Sequence, residues 1–436
     1  GGESGRERVW ELRRIAEDLG AMIGGRTVGY RGKLVIRTTQ SIVTRVIGRV
    51  NKLETEKSST STSIKHSDPD YKDMQFKTES KMKSTFKPKT LTLHLGTIHL
   101  RECVAVCLAP SSESWDSGDS RYSPGKSRDF STSLDPESSP GSSRHIFVQI
   151  EVSYVGLDGS HVTRVSTRQW RIATGTEEYM KSISPSTSIV ILAKQAALKK
   201  FKREQNNSRT LETARDYLDA KLSHISSIFS ETGGGVSLRG SVMKVSENIR
   251  ELVELGYYFR QGPVIGLAFE RDPRARLLAR RFIHMGVEDC LACIKPRIHA
   301  FNTTGAFQAL PASSLVLQSD RILIVDQWDT IIIWYGSHVA QEQYSTLRAA
   351  CTEEARNRAS TRTPSPCILE ISERSSAERW LLCRISPGHK DRLEDQAVDF
   401  PEIKSNGASD LKSRLGRGMS EPSLREYLRS LFAQKS

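Results

Sequence analysis

The stretch that most constrains the fold lies at residues 321–336, RILIVDQWDTIIIWYG. It holds two dense apolar runs, 322–325 and 331–334, separated by a short segment that begins at Asp326. Each run is rich in β-branched and aromatic residues and too short for a stable helix, so each is predicted to be a strand buried on both faces. Such a sheet needs a layer packed over each face. The plain alternative is a hydrophobic core without functional meaning, because most apolar runs serve packing.

The charge balance favours an acidic partner. The chain has 436 residues, which suggests two to four domains, and carries a formal net charge of +13. This balance suits nucleic acid, an anionic membrane surface or an acidic protein, without choosing among them. No apolar run approaches the roughly 20 residues of a membrane-spanning helix. The sequence begins with Gly and without a signal peptide. We therefore expect a fragment of a longer protein or a gene model that begins late.

The seven cysteines are expected to be reduced thiols, because their number is odd and no signal peptide precedes them. Cys290 and Cys293 have the spacing of a zinc knuckle, but no second pair follows within reach. Apolar residues recur at helical spacing through residues 282–294, which favours a buried helix.

The first half of the chain is typical of an all-β domain. Two strand-like pieces, 33–38 and 42–47, are close enough to pair. The segments on either side of the Gly-Leu-Asp-Gly turn at 156–159 predict a β-hairpin. Two polar, Ser-rich insertions are predicted to be disordered, at 51–89 and 111–144.

The second half changes to helical spacing and then to a mixture. Predicted helices, including one that precedes the β region, lie at 7–23, 189–201, 211–229, 242–259, 273–294, 338–358 and 423–432. Further strands are predicted at 367–371 and 379–385.

We find no motif of an enzyme with its own active site. The sequence has no P-loop, no G-x-G-x-x-G after a strand, no H-E-x-x-H and no G-x-S-x-G. Its ten histidines are scattered, so no bound metal or other cofactor is expected. Two basic runs, 199–203 and 271–281, fit contact with an anionic surface or a solvated helix face equally well. Because they hold no aromatic platform, nucleic acid is not the expected partner.

Five stretches taken in order resemble the GTPase-activating inner-coat subunit of the COPII vesicle coat, the SEC23 family: 30–39, 161–170, 312–336, 375–387 and 420–428. The resemblance implies a multidomain α+β fold. It places a β-sandwich at 29–180, an all-α helical domain at 181–299 and a gelsolin-like α/β domain with a C-terminal helix at 300–436. Residues 1–28 would be the end of a missing trunk domain, and zinc is expected only in a missing N-terminal zinc finger.

The resemblance also implies a function. The implied function is that of a COPII coat component for transport from the endoplasmic reticulum to the Golgi. This component would activate a Sar-type small GTPase by an arginine finger. The chain would then be a GTPase activator and not an enzyme in its own right. Implied partners are this GTPase, a cargo-binding inner-coat subunit in a heterodimer, outer-coat subunits and an anionic membrane surface. The implied location is the cytoplasmic face of the endoplasmic reticulum membrane and of COPII vesicles, as a peripheral protein.

The residue that matches the family's finger is Arg379. Arg374 and Arg384 would serve as well on chemistry alone, so the choice depends on register with the motif. In the predicted strand 379–385, Leu381, Cys383 and Ile385 would share one face with Arg379 and anchor it. The neighbouring Glu378 is expected to be able to pair with Arg379 and hold it back.

Two other functions stay open on the sequence. One is a structural coat module of the same architecture that has lost activity. The other is an actin-binding relative of gelsolin, although the side chains typical of its calcium sites are not evident.

Overall fold

The structure is a computed structural model that describes residues 27–38, 41–47, 50, 52–55, 89–99, 103–110, 145–173, 176–205, 213–231, 246–301, 307–362, 364–401, 411, 413–415 and 421–432. It divides into two compact units, of which one is Gly25–Gly175 and the other includes Thr176–Ser436. The helix predicted at 7–23 and the disorder predicted at 111–144 lie outside the described residues. Within those residues, no helix has both the length and the apolar character needed to cross a bilayer.

The first unit is built from antiparallel strands around one core. Its strands are β1 (Thr27–Thr38), β2 (Ser41–Ile47), β3 (Lys52–Thr55), β4 (Lys89–His99), β5 (Ala105–Pro110), β6 (His145–Gly156) and β7 (His161–Arg171). Five form one sheet in the order β3-β4-β1-β6-β7, and β2 pairs with β5. Both sheets contribute to one apolar cluster, in which Leu34 and Leu93 of the first meet Val46 of the second.

The predicted hairpin is confirmed, whereas two other expectations for this unit are wrong. β6 and β7 pair in unbroken register around a turn in which Gly159 has a φ of 81°. The piece 33–38 does not pair with 42–47, because β1 finds partners of its own length in β4 and β6. The prediction of disorder at 51–89 is wrong at the start of that range, because Lys52–Thr55 pairs with β4 through its backbone. Composition does not reveal such backbone pairing. Residues 56–88 lie outside the described part.

The second unit begins with helices: α1 (Thr176–Ser182), α2 (Pro185–Gln205), α3 (Ala214–Glu231), α4 (Glu247–Gln261), α5 (Pro273–Phe282) and α6 (Val287–Ile294). The single helix predicted at 273–294 is two helices. α5 begins where Asp272 accepts a hydrogen bond from the Arg274 N–H at 2.9 Å, and α6 begins after Gly286. Cys290 and Cys293 are buried in α6, so the buried-helix interpretation of these cysteines is confirmed.

A five-stranded sheet follows, in the order β12-β11-β10-β8-β9. Its strands are β8 (Arg297–Phe301), β9 (Phe307–Leu310), β10 (Ile322–Gln327), β11 (Thr330–Tyr335) and β12 (Cys367–Ser372). The central strands β10 and β11 are buried at every residue, as predicted. One face packs on Cys351, Ala355 and Ala359 of α7 (Ser345–Ser360). The other face meets α6 through Gln327, whose Nε2 donates to the Cys293 carbonyl at 2.9 Å. Both faces of the central sheet are therefore covered.

Beyond the second sheet, the described residues include α8 (Arg379–Leu382), α9 (Leu393–Asp399) and α10 (Leu424–Phe432). α10 lies against the helical layer, where the Tyr427 hydroxyl donates to Asp219 of α3 at 3.0 Å. The helices and the second sheet thus belong to one compact unit. The domain limits at 180/181 and 299/300 stay predictions.

Candidate functional site

The predicted finger, Arg379, lies at one edge of the second sheet. It is the last residue of a loop, residues 373–379, and also the first residue of α8. β12 pairs in parallel with the buried strand β11 and ends at Ser372. Glu373 extends the ladder by one further hydrogen bond, from its N–H to the Tyr335 carbonyl at 2.8 Å. Arg374 then has a φ of 63°, in the left-handed region that residues with a side chain seldom adopt. A 3₁₀ turn at Ser376–Glu378 leads into α8, whose first residue is Arg379.

The prediction of a strand at 379–385 is wrong, because this segment begins with a helical turn. The Cys383 N–H donates to the Arg379 carbonyl at 3.1 Å, which is a helical pairing. Leu381 and Ile385 are fully buried, but they are four residues apart on a helical path and do not alternate along a strand. In so short a segment, the repeat of a helix and the repeat of a strand predict nearly the same buried residues.

Two buried carboxylates hold the loop from inside. Glu373 accepts hydrogen bonds from the Ser337 N–H at 2.7 Å and from the Ser319 hydroxyl at 3.0 Å, and it also pairs with Arg414. Arg414 in turn donates to the Leu317 carbonyl at 3.1 Å. This carboxylate therefore ties the start of the loop to the segments on either side of the central strands.

Glu378 is the second anchor, and it points inward. Its Oε1 accepts a hydrogen bond from the Trp334 indole at 3.0 Å, and its Oε2 accepts one from the Arg374 N–H at 3.1 Å. Burial raises the pKa of this carboxyl, although both hydrogen bonds oppose the rise. The expectation that Glu378 pairs with Arg379 is wrong, because its two oxygens are occupied by these donors. The unexpected left-handed Arg374 thus has a backbone partner that holds it in place.

The three candidate arginines separate clearly by exposure. Arg384 is buried, donates to the Gln327 side chain at 2.7 Å and lies 4.8 Å from the centre of the Phe269 ring, so it cannot reach another protein. Arg374 and Arg379 are both exposed. Arg379 lies 5.8 Å from the centre of the Trp380 ring, and no carboxylate in the described part of the chain pairs with it.

This arrangement presents a permanent positive charge on a rigid base. Trp380 packs on Phe269 at 6.1 Å between ring centres, and Leu381 beside it is fully buried. The backbone of α8 is thereby fixed, while the Arg379 guanidinium faces solvent with its N–H groups free to bind oxygen atoms of another molecule. Sequence reasoning missed Glu373 and Trp334 as parts of this site.

The two basic runs are used partly for packing. The Lys200 ammonium donates to the Val264 carbonyl at 2.8 Å. Arg280 lies over the Phe201 ring at 5.9 Å, and Arg281 lies over the Trp328 ring at 5.1 Å. These cations therefore serve the interior of the second unit as well as its surface.

Comparisons with known proteins find a matching family model, curated relatives and a similar solved structure. The gelsolin repeat family model matches residues 306–376, which cover β9 to β12 and stop just before Arg379. Protein transport protein SEC23 A of Arabidopsis thaliana is 26% identical over 265 residues, which are 60% of this chain and 29% of that protein. Protein transport protein SEC23 of Encephalitozoon cuniculi is 20% identical and matches 59% of this chain and 37% of that protein.

A third relative, protein transport protein SEC23 F of Arabidopsis thaliana, is 20% identical over 59% of this chain and 34% of its own length. The chain therefore spans about a third of the length of these relatives. Among solved structures, human COPII-coat protein Sec24c matches 97% of this chain and 46% of that chain, with a TM-score of 0.55 and 13% identity. At this identity, the match supports the mixed helix and sheet fold alone. The resemblance to the SEC23 family indicated by the sequence motifs is therefore confirmed over about 60% of the chain.

Proposed function

We propose that this chain is a component of the COPII coat in transport from endoplasmic reticulum to Golgi, and that it activates a Sar-type small GTPase through Arg379. The observation that carries the proposal is the exposed Arg379 guanidinium, without a carboxylate partner among the described residues, at the end of a gelsolin-like sheet. The similarity to SEC23 proteins supports the coat assignment.

The chemistry of the site fits this role. Negative charge that develops on a transferring phosphoryl group is met well by a planar cation that cannot lose its proton. Arginine fingers contribute roughly 10³–10⁵ in rate where this has been measured. Glu373 and Glu378 hold the backbone on both sides of Arg374, so little conformational freedom is lost when Arg379 enters the partner's site.

The other proposed partners follow from the same family. They are a cargo-binding inner-coat subunit in a heterodimer, outer-coat subunits and an anionic membrane surface. The net charge of +13 supports the last of these. On this proposal the protein acts at the cytoplasmic face of the endoplasmic reticulum membrane and on COPII vesicles.

The test is single-turnover GTP hydrolysis by a purified Sar-type GTPase with and without this chain. The Arg379→Ala variant is expected to lose most of the stimulation, roughly 10³-fold if the finger is fully effective. Arg379→Lys is expected to recover little, because an ammonium cannot form the planar fork. Arg374→Ala is the matched control, since Arg374 is exposed on the same loop.

Equal hydrolysis rates for the wild type and Arg379→Ala would remove the catalytic claim. Stable binding of the GTPase without any stimulation would favour the alternative of a structural coat module. Co-sedimentation with filamentous actin would favour the gelsolin relative, for which the match of the gelsolin repeat model to residues 306–376 is the supporting observation.

A further inference from the structure

The edge strand β7 of the first unit is exposed along almost its whole length. It has 11 residues, and all of them except Val162 are exposed. On one side it pairs with β6 from His145↔Arg171 to Val155↔His161. On its other side, no strand pairs with it in the part of the chain that the structure describes. β7 thus presents a long row of backbone N–H and C=O groups.

Edge strands are normally protected from pairing with other chains by shortness, a bulge, proline or charged side chains. β7 has only the last of these, in its three arginines, which oppose the addition of a basic strand but not of an acidic one. The pairing of β7 has no register shift, and its sequence HVTRVSTRQWR contains neither proline nor lysine. The opposite edge of the same sheet is β3, which has only four residues. A regular edge of this length is the kind of surface to which another strand can be added.

The side chains of β7 define the chemistry of such a strand. Three of its residues are arginines, and none is acidic. Arg164 and Arg168 stand on the same face, opposite Val152 and Val148 of β6, and no carboxylate among the described residues pairs with either. Trp170 stands further along the same face and is 50% exposed. The edge therefore combines positive charge with an exposed aromatic ring.

We propose that β7 is a docking edge for an acidic, extended segment of another protein, which adds to the sheet as a sixth strand. Backbone hydrogen bonds to β7 would supply affinity, and carboxylates opposite Arg164 and Arg168 would supply selectivity. Because side chains on one face recur every two residues, the segment has acidic residues four positions apart and an apolar residue beyond them to cover Trp170. This inference is independent of the proposed GTPase activation, because it depends on the first unit alone.

The probe is a fluorescein-labelled peptide of alternating Thr and Val, in which two Glu residues stand four positions apart. Fluorescence anisotropy during titration with the full chain measures its affinity. The Arg164→Glu/Arg168→Glu double variant is expected to bind at least about tenfold more weakly. The Arg271→Glu/Arg276→Glu variant, with the same charge change at exposed residues of the second unit, is expected to bind like the wild type.

A second peptide separates strand addition from simple charge attraction. It has the same sequence, but alternate backbone amides on the edge that would face β7 are N-methylated, which removes their hydrogens without changing any charge. The proposal requires that this peptide loses binding. Equal binding of both peptides, or equal loss in the two double variants, would overturn the proposal.

An anionic membrane is the other surface that three arginines and a tryptophan could contact. Co-sedimentation with phosphatidylserine vesicles tests it with the same variants. If the Arg164→Glu/Arg168→Glu variant loses vesicle binding while the wild type does not bind the acidic peptide, the proposed docking edge is wrong. Peptide binding that vesicles do not displace supports it.

Discussion

The Trp334 indole donates a hydrogen bond to the Glu378 carboxylate at 3.0 Å, so a fully buried residue of the central sheet holds the residue immediately before Arg379. Trp334 lies on β11, in the most buried part of the second unit. The same carboxylate accepts the backbone N–H of the left-handed Arg374. One buried side chain therefore connects the core to the conformation of the exposed loop.

Trp334→Phe is expected to destabilise the protein by about 1–3 kcal/mol, because it leaves one oxygen of the buried Glu378 without its donor. Urea unfolding followed by circular dichroism measures this change. If the proposed function is correct, the variant also stimulates GTP hydrolysis less than the wild type does, since the residue before Arg379 is no longer held.

Trp380→Phe is the matched control for this prediction. Trp380 is half-buried, and its indole N–H has no hydrogen-bond partner in the described part of the chain. Its replacement is expected to cost less stability than Trp334→Phe. A larger loss for Trp380→Phe would show that the loop depends on ring packing and not on the bond to Glu378.

Glu378→Gln is expected to change how stability depends on pH. Burial raises the pKa of Glu378 above its ordinary value of 4.5, so the folded protein holds this proton to a higher pH than the unfolded chain does. The stability contributed by this group is fully present below pH 4.5 and is lost as the pH rises through the folded pKa. Glutamine does not titrate.

The stability of the wild type relative to the Glu378→Gln variant should therefore decrease from below pH 4.5 towards neutral pH. Urea unfolding of both proteins across this range measures the difference. A difference that stays constant, or that changes in the opposite direction, contradicts a raised pKa at this site.

Much of the fold follows from local sequence patterns that fit only one kind of secondary structure, either helix or strand. The runs at 322–325 and 331–334 are apolar at every position, so no helix with a polar face could accommodate them. The hairpin of β6 and β7 is indicated by its Asp-Gly turn and is confirmed in unbroken register. In contrast, the pairing of β1 with β4 and β6 joins segments far apart in the chain, which spacing alone does not predict.

The candidate site was predictable only in part. Register with a family motif selected Arg379, and the structure shows this residue exposed while Arg384 is buried. The roles of Glu373 and Glu378 were not predictable, because both lie in a polar segment where a solvated carboxylate is the ordinary expectation. Their burial depends on donors from distant segments, such as Trp334 and Ser337, which approach only after folding.

Gly336→Ala is expected to destabilise the second unit by about 1–3 kcal/mol, because the new methyl group collides with the Ser319 carbonyl across the sheet end. Backbone atoms cannot move aside as a flexible side chain can. Thermal unfolding measures the effect. Gly286→Ser is the control, since no atom lies within 4 Å of the added carbon and serine suits the position before α6. Comparable losses in the two variants would refute the steric explanation.

Glu421 joins the C-terminal segment to the helical layer, and its replacement by Gln is expected to cost about 1–3 kcal/mol at neutral pH. Its oxygens accept from Arg215 at 3.0 Å and from Arg260 at 2.5 Å. Arg260 keeps Asp219 as a second partner at 2.9 Å, so the loss falls mainly on the more deeply buried Arg215. The control is Glu353→Gln, which removes an exposed ion pair with Arg356 and should change stability by less than about 1 kcal/mol.

The pH dependence of Glu421 has the opposite sign to that of Glu378. Burial alone would raise the pKa of Glu421, but Arg215 and Arg260 outweigh it and lower this pKa below the ordinary value of 4.5. Its stabilising contribution is therefore present above pH 4.5 and is lost as the pH falls through the lowered folded pKa. The stability difference between the wild type and Glu421→Gln should shrink on acidification. A difference that persists in strong acid would mean that Glu421 acts through hydrogen bonds that glutamine also loses, and not through its charge.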